Sequence, residues 1–186
     1  TALLVSVAVV SLWVAPVGAV NPLTSAVFVP HSLTLHLKNH AATLLEDGTV
    51  LVTGGADNGG TVQGSAAIYD PATGLTTTLP TPLTVARMGH TATLLDDGRV
   101  LIAGGTGVGN APLASAELYT PSTHAFTPIL ISMSSARTFH TATVLQDGTV
   151  LLAGGSNGTI AVNTGEIFNP SSLAFAGVGN TMSQGR

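Results

Sequence analysis

The fold of this chain is decided by one stretch of sequence, His40-Ala-Ala-Thr-Leu-Leu-Glu-Asp-Gly-Thr-Val-Leu-Val-Thr-Gly-Gly55. Near copies begin at His90 and His140, so the chain repeats with a period of 50 residues. A period of this length is typical of solenoids, arrays and propellers. Within each copy, a short apolar run, an Asp-Gly pair and a second apolar run predict a β-hairpin. The repeated unit is therefore a piece of β-sheet.

Two further strands follow each hairpin. In the first copy the third strand reads Ala66-Ala-Ile-Tyr69 and stops at Asp70-Pro71, where proline fixes φ and offers no N–H to a neighbouring strand. A weaker fourth strand over 75–79 has the low hydrophobicity of an outer edge strand. The sequence predicts an all-β fold with three four-stranded antiparallel blades that begin near residues 40, 90 and 140.

The turns and strand ends of each copy have a simple structural interpretation. Asp47 and its equivalents precede a glycine, and Asp-Gly is preferred in two-residue type I′ turns. A glycine doublet after the second strand predicts close packing and a sharp exit from the strand. No helix or lysine follows the doublets, so they do not match a phosphate-binding loop. The doublets are Gly54-Gly55, Gly104-Gly105 and Gly154-Gly155.

The composition excludes several classes of function. The chain has 186 residues, of which only 8% are charged, and its net charge is −4 without any basic cluster, which argues against nucleic-acid binding. There is no cysteine, so disulfides, thiolate nucleophiles and cysteine-based metal sites are excluded. The mean hydropathy of +0.47 is explained by an apolar leader and by strands that are buried on both faces.

The first part of the chain predicts export. Residues 1–19 are uncharged and end in Pro16-Val-Gly-Ala19, which resembles the cleavage site of a secretory signal peptide. An uncleaved membrane anchor is the alternative. Either interpretation places the protein outside the cytoplasm, as a secreted, periplasmic or cell-surface protein. Residues 20–39 form a connector with one possible outer strand, over 25–29, that would complete the last blade of a closed ring.

The repeats resemble kelch repeats. The resemblance rests on the glycine doublets, the Tyr69-Asp70-Pro71 element and the arginine that precedes the next repeated histidine, and it covers 33–186. It is strongest to secreted bacterial kelch proteins and to the propeller of the galactose oxidase family, and it implies a kelch-type β-propeller. Phe126 and Phe175 occupy the fourth strand, where kelch blades typically carry tryptophan.

The number of repeats indicates an incomplete ring. Residues 182–186 align with 133–137, so the chain is expected to stop at the start of a fourth repeat. Three blades do not normally close a propeller. We expect a fragment of a larger propeller, and a ring assembled from several copies is the alternative.

No residue pattern supports catalysis. The repeated His40, His90 and His140 are candidate metal ligands, but we expect equivalent residues of different blades to be too far apart to share an ion, which favours a structural role at strand starts. The resemblance to galactose oxidase would imply a copper radical formed with a tyrosine–cysteine cross-link, and the chain has no cysteine. We therefore expect no enzyme activity, no cofactor and no metal site.

The topology predicts a binding face. Loops joining strands two and three emerge beside the connections between blades, and loops on a rigid scaffold commonly carry binding. We expect a non-catalytic exported binding or structural module that recognises a protein or carbohydrate partner there. The alternative is a propeller enzyme whose catalytic residues lie outside this chain. Arg87 and Arg137 have a second interpretation as braces between blades. The candidate residues of this face are Asp57, Asn58, Arg87, Asn110, Arg137, Asn157 and Asn163.

Overall fold

The computed structural model describes residues 36–179 and 181–185. The predicted leader at 1–19 and the possible outer strand at 25–29 lie outside the described residues. Within the described part of the chain, no helix is long and apolar enough to cross a membrane. The only helical element described there is a single turn of 3-10 helix at Val108–Asn110.

Three four-stranded antiparallel sheets follow one another along the described chain, and in each the strands pair in sequence order. The first sheet consists of β1 (Ala41–Leu44), β2 (Val50–Thr53), β3 (Ala66–Asp70) and β4 (Leu75–Thr78). The second consists of β5 (Thr91–Leu94), β6 (Val100–Ala103), β7 (Ala116–Thr120) and β8 (Ala125–Pro128). The third consists of β9 (Thr141–Val144), β10 (Val150–Ala153), β11 (Gly165–Asn169) and β12 (Ala174–Gly177). The predicted all-β class and the three predicted blades are confirmed.

The turn between β1 and β2 differs from the predicted two-residue type I′ turn. Leu45 N–H donates to the Thr49 carbonyl at 2.8 Å and Gly48 N–H donates to the Leu45 carbonyl at 3.0 Å, which leaves a three-residue loop. Within this loop only Gly48 has a positive φ, of 84°. The Asp47 carboxylate accepts hydrogen bonds from Thr49 N and Oγ1 at 2.9 and 2.7 Å. Aspartate therefore closes the turn with its side chain, and glycine alone supplies the left-handed conformation.

The hydrophobic core lies between successive blades. The first interface packs Leu51 and Leu79 of the first blade against Val100, Ile102 and Tyr119 of the second. The repeat-equivalent residues form the interface between the second and third blades, namely Leu101, Ile129, Val150, Leu152 and Phe168. Because the middle blade is covered on both faces, all four residues of β6 are buried. This burial accounts for the apolar, weakly alternating strands.

The two glycines of each doublet admit different neighbours. A Cβ on Gly54 would collide with the Arg87 carbonyl oxygen of the next blade and would lie 2.8 Å from His90 Cε1. A Cβ on Gly55 would lie 2.9 Å from the Lys38 carbonyl oxygen of its own blade, and Gly55 N–H donates to the Arg87 carbonyl at 2.8 Å. The first glycine therefore lets the next blade approach, and the second lets the chain enter its own blade.

Candidate functional site

The loops that join the blades and the long loops within them lie at one end of the sheets. Met88, which precedes β5, pairs with Thr106, which follows β6, through two backbone hydrogen bonds of 2.9 and 2.7 Å. This pairing places both kinds of connection on one surface, which we call the loop face. The hairpin turns at 45–49, 95–99 and 145–149 lie at the opposite end, which we call the turn face.

A hollow of about 350 Å³ opens on the loop face where the three inner strands begin. Its lining residues are Asn39, His40, Gly89, His90, Phe139 and His140. The three repeated histidines therefore border one hollow, and the expectation that they lie far apart is wrong. The inner strands β1, β5 and β9 are neighbours in space, so equivalent residues at their starts converge.

The histidine side chains connect successive blades. His90 Nε2 lies 2.9 Å from Thr53 Oγ1 of the preceding blade, and His140 Nε2 lies 3.0 Å from Thr91 Oγ1. Burial, helped by the nearby positive charge of Arg87, lowers the pKa of His90 to about 3. Burial lowers the pKa of His140 to about 4. Both imidazoles are therefore neutral at pH 7, and their Nε2 atoms are engaged by hydroxyl groups.

The geometry offers no metal site in the described part of the chain, where no group of three or more His, Cys, Asp or Glu side chains could hold an ion. The hydrogen bonds instead support the structural interpretation of His90 and His140. His40 differs from them because it is exposed, and its Nδ1 lies 2.9 Å from the Leu37 carbonyl oxygen. The first blade thus leaves one imidazole open to solvent at the edge of the hollow.

Phe139 is the most unusual residue of the hollow. The equivalent positions Asn39, Gly89 and Phe139 all have positive φ, of 57°, 61° and 53°. Gly89 N–H donates to the Asn39 carbonyl at 2.9 Å, and Phe139 N–H donates to the Gly89 carbonyl at 2.8 Å, so this conformation is fixed from blade to blade. A positive φ at a bulky residue costs about 1–3 kcal/mol. The Phe139 ring is nevertheless 62% exposed.

The phenylalanine ring lies over Gly89, where a Cβ would be only 2.7 Å from Phe139 Cε1. Strained residues concentrate at functional sites, and an exposed aromatic ring offers a large apolar contact to a ligand. The sequence-based prediction missed Phe139. A signal was present, because the residue before the repeated histidine differs in each copy, whereas the following residues hardly change.

The two arginines predicted on the loop face are buried instead, so that prediction is wrong. The side chains of Arg87 and Arg137 are 0% exposed. Arg87 Nη1 donates to the Gly104 and Ser115 carbonyls at 2.7 and 3.0 Å, and Nη2 donates to Glu117 Oε1 at 3.0 Å. The planar guanidinium thus satisfies the ends of β6 and β7 together. Each arginine braces the entry of its own blade, not a neighbouring blade or a ligand.

Each buried arginine has a buried glutamate as its partner. Glu117 Oε2 also accepts from Thr84 N and Oγ1, at 2.8 and 2.9 Å. In the third blade Arg137 Nη2 donates to Glu166 Oε1 at 2.9 Å, and Ser134 N–H donates to Glu166 Oε2 at 2.7 Å. Hydrogen bonds therefore surround both charges, which is the condition for burying an ion pair.

The first blade replaces both partners of this ion pair at once. Leu37 and Ala67 occupy the positions of Arg87 and Glu117. A single replacement would leave one charge buried without a partner, at a large free-energy cost. The joint loss of arginine and glutamate in one copy was therefore a sequence signal for the ion pair, and the prediction did not use it.

The chain has structural relatives but no sequence relatives among the proteins compared. No family model and no curated protein matches it. Its fold matches 176 chains of solved structures. One of them, the structure of YjhT, a kelch-type propeller, aligns with a TM-score of 0.68 and 13% sequence identity, over 80% of this chain and 54% of that chain. The fold is that of a partial β-propeller. The chain spans about half the length of YjhT, and at this identity the likeness shows the fold alone.

The polar candidates on the loop face of this partial propeller fall into two groups. Asp57 Oδ1 accepts from Thr61 N–H at 2.9 Å, and Asn157 Oδ1 accepts from Ile160 N–H at 3.0 Å, so these side chains order their own loops. The hydrogen bond from Thr61 N–H is the main reason that the pKa of Asp57 is lowered. The remaining candidates are exposed on the loops, namely Asn58, Asn110 and Asn163.

The two ends of the propeller differ in surface chemistry. Large exposed apolar side chains occupy the loop face beside Phe139, namely Val85, Val108, Leu130, Ile131 and Ile160. Carboxylates dominate the turn face, namely Glu46, Asp47, Asp96, Asp97 and Asp147. An apolar surface of weak charge is typical of interaction sites, whereas the carboxylates of the hairpins close turns or keep the opposite end in water.

Proposed function

We propose that this chain is a non-catalytic binding or structural module, built from kelch repeats, that recognises a protein or carbohydrate partner through its loop face. The observation that carries the proposal is Phe139, an exposed aromatic ring held at a positive φ over the hollow. A cost of this kind at an exposed position is explained if the ring contacts a partner. The neutral His90 and the exposed Asn39 and His40 beside it supply uncharged hydrogen-bonding groups.

The absence of a favourable catalytic arrangement on this face supports a binding role. Its two arginines are committed to buried glutamates, and two of its histidines are committed to threonine hydroxyls. Groups engaged in this way are poorly placed for acid–base chemistry on a ligand. The apolar segment at 1–19 supports export of the module, because it resembles a secretory signal peptide.

The test is to select ligands against the whole chain and to map where they bind. Peptides from a displayed library and soluble glycans on an array are the probes, and each ligand is then measured against Phe139→Ala. Removal of a central aromatic anchor is expected to weaken binding at least about tenfold. Leu130→Ala removes a 96% exposed apolar side chain of the same face and serves as the matched control. Ligands that bind Phe139→Ala and the original chain equally well would contradict the proposal.

A further inference from the structure

The first and third blades each carry one face that no other described blade covers. The front face of the first blade contains Leu44, Val50, Val52 and Tyr69, and the back face of the third contains Leu145, Leu151, Ile167, Val178 and Met182. Neither set includes a charged residue. Both are repeat equivalents of residues that form the two buried interfaces inside the chain.

The front face is more exposed than its equivalents in the other blades. Val100 and Val150 are 0% exposed, and so are Tyr119 and Phe168, whereas Val50 and Tyr69 at the same positions are half-buried. Leu44 is 63% exposed, although the equivalent Leu94 packs against the first interface core. The front face therefore has the composition of a blade interface but lacks a covering blade within the described chain.

The back face shows the same relationship. Leu51 and Leu101 are 0% exposed, but the equivalent Leu151 is half-buried. Met133 is 4% exposed, and the equivalent Met182 is half-buried. Inside the chain, the Leu51 class packs against the class of Val100 and Tyr119. The partner that fits the back face is therefore a front face of the same kind.

Polar groups at the two free faces are also complementary. Between the second and third blades, His140 Nε2 lies 3.0 Å from Thr91 Oγ1. The equivalents of these residues at the free faces are His40 and Thr141, and both are exposed. A back face packed on a front face would bring Thr141 to His40 as Thr91 is brought to His140.

We propose that two copies of this chain pack head to tail, with the back face of each on the front face of the other, into one closed ring. Heterologous contacts of this type close into rings when the rotation allows it. Two copies supply six blades, because each chain has three described sheets. The length agrees, since the chain spans 54% of the YjhT propeller and a second copy would occupy the remainder.

The experiment measures the mass of the full 186-residue chain by sedimentation velocity and light scattering over a range of concentrations. The expected mass is twice 18.6 kDa. Thr141→Arg and Leu44→Arg each add a cation to an exposed position of one face, so folding should be unaffected, and far-UV circular dichroism checks this. Each variant alone is expected to weaken dimerisation on the order of 100-fold, because a charge is buried without a partner. Thr127→Arg, at an exposed position on the outermost strand of the middle blade, is the control and should leave the dimer unchanged.

Mixing the two variants tests the head-to-tail arrangement directly. In a mixed pair, one interface carries both arginines and the other carries none. An equimolar mixture should therefore form dimers at concentrations where each variant alone is monomeric. A monomeric original chain, open-ended polymers, a dimer insensitive to both variants, or a mixture that stays monomeric would each overturn the proposal.

Discussion

Replacing Arg87 by leucine is expected to destabilise the protein by about 3–5 kcal/mol, because the carboxylate of Glu117 remains buried without its counterion. Both side chains are 0% exposed, and their atoms are 3.0 Å apart. Replacing Glu117 by alanine alone should cost a similar amount, because the guanidinium of Arg87 then remains buried with its charge uncompensated.

The double variant Arg87→Leu/Glu117→Ala should be more stable than either single variant. It reproduces Leu37 and Ala67 of the first blade, where neither charge is present. The Ser115 carbonyl keeps a hydrogen bond from Gly104 N–H at 3.1 Å, so the main lasting loss is the bond that Arg87 gave to the Gly104 carbonyl. An orphaned buried carbonyl costs about 1–3 kcal/mol. The two substitutions should therefore be strongly non-additive.

The assay is equilibrium unfolding in guanidinium chloride, followed by circular dichroism at one fixed protein concentration. The four proteins of the double-mutant cycle give a coupling free energy between positions 87 and 117, which we expect to be at least about 2 kcal/mol. Additive effects, or a double variant less stable than both single variants, would refute the reasoning that the buried charges exist only as a pair.

Two further predictions concern a histidine and a glycine. The pKa of His90 is about 3 in the folded chain and near 6.5 when unperturbed, so the unfolded chain binds more protons in acid, and stability should be complete above pH 6.5 and fall between pH 6.5 and 3. His90→Gln should flatten this dependence in unfolding curves collected from pH 7 to 4, while the exposed His36→Gln should leave it unchanged. Gly104→Ala places a Cβ against the Arg137 carbonyl of the next blade and should cost about 2–4 kcal/mol in chemical unfolding. Gly109→Ala, which has a positive φ but open space, should cost only about 1 kcal/mol, and equal costs would contradict the role given to the doublet.

Comparison of the internal copies carried most of the fold prediction. The positions of the strands followed from apolar runs bounded by Asp-Gly pairs, glycine doublets and proline turns, because these signals act over a few residues. The type of hairpin turn was predicted wrongly. Asp-Gly is compatible with two turn geometries, and the side-chain bond from Asp47 to Thr49, together with a single left-handed glycine, selects the longer one.

The candidate site was predicted less well because its residues are brought together across blades. His90 and His140 were correctly given a structural role, but their convergence on one hollow depends on how neighbouring inner strands pack. Arg87 was assigned to the surface because arginine is rarely buried, and its partner Glu117 lies 30 residues further along the chain.

The sequence by itself determined the unit of this protein: the stretch from His40 to Gly55, written three times, specifies a hairpin, and the residues after it extend the hairpin into a four-stranded blade. These features are local, and the repeated spacing makes them readable. Only the tertiary structure decided which conspicuous residues remain accessible. Stacking one blade on the next buries Arg87 and leaves Phe139 exposed, since burial depends on the neighbour that covers a residue and not on the residue's own position in the repeat.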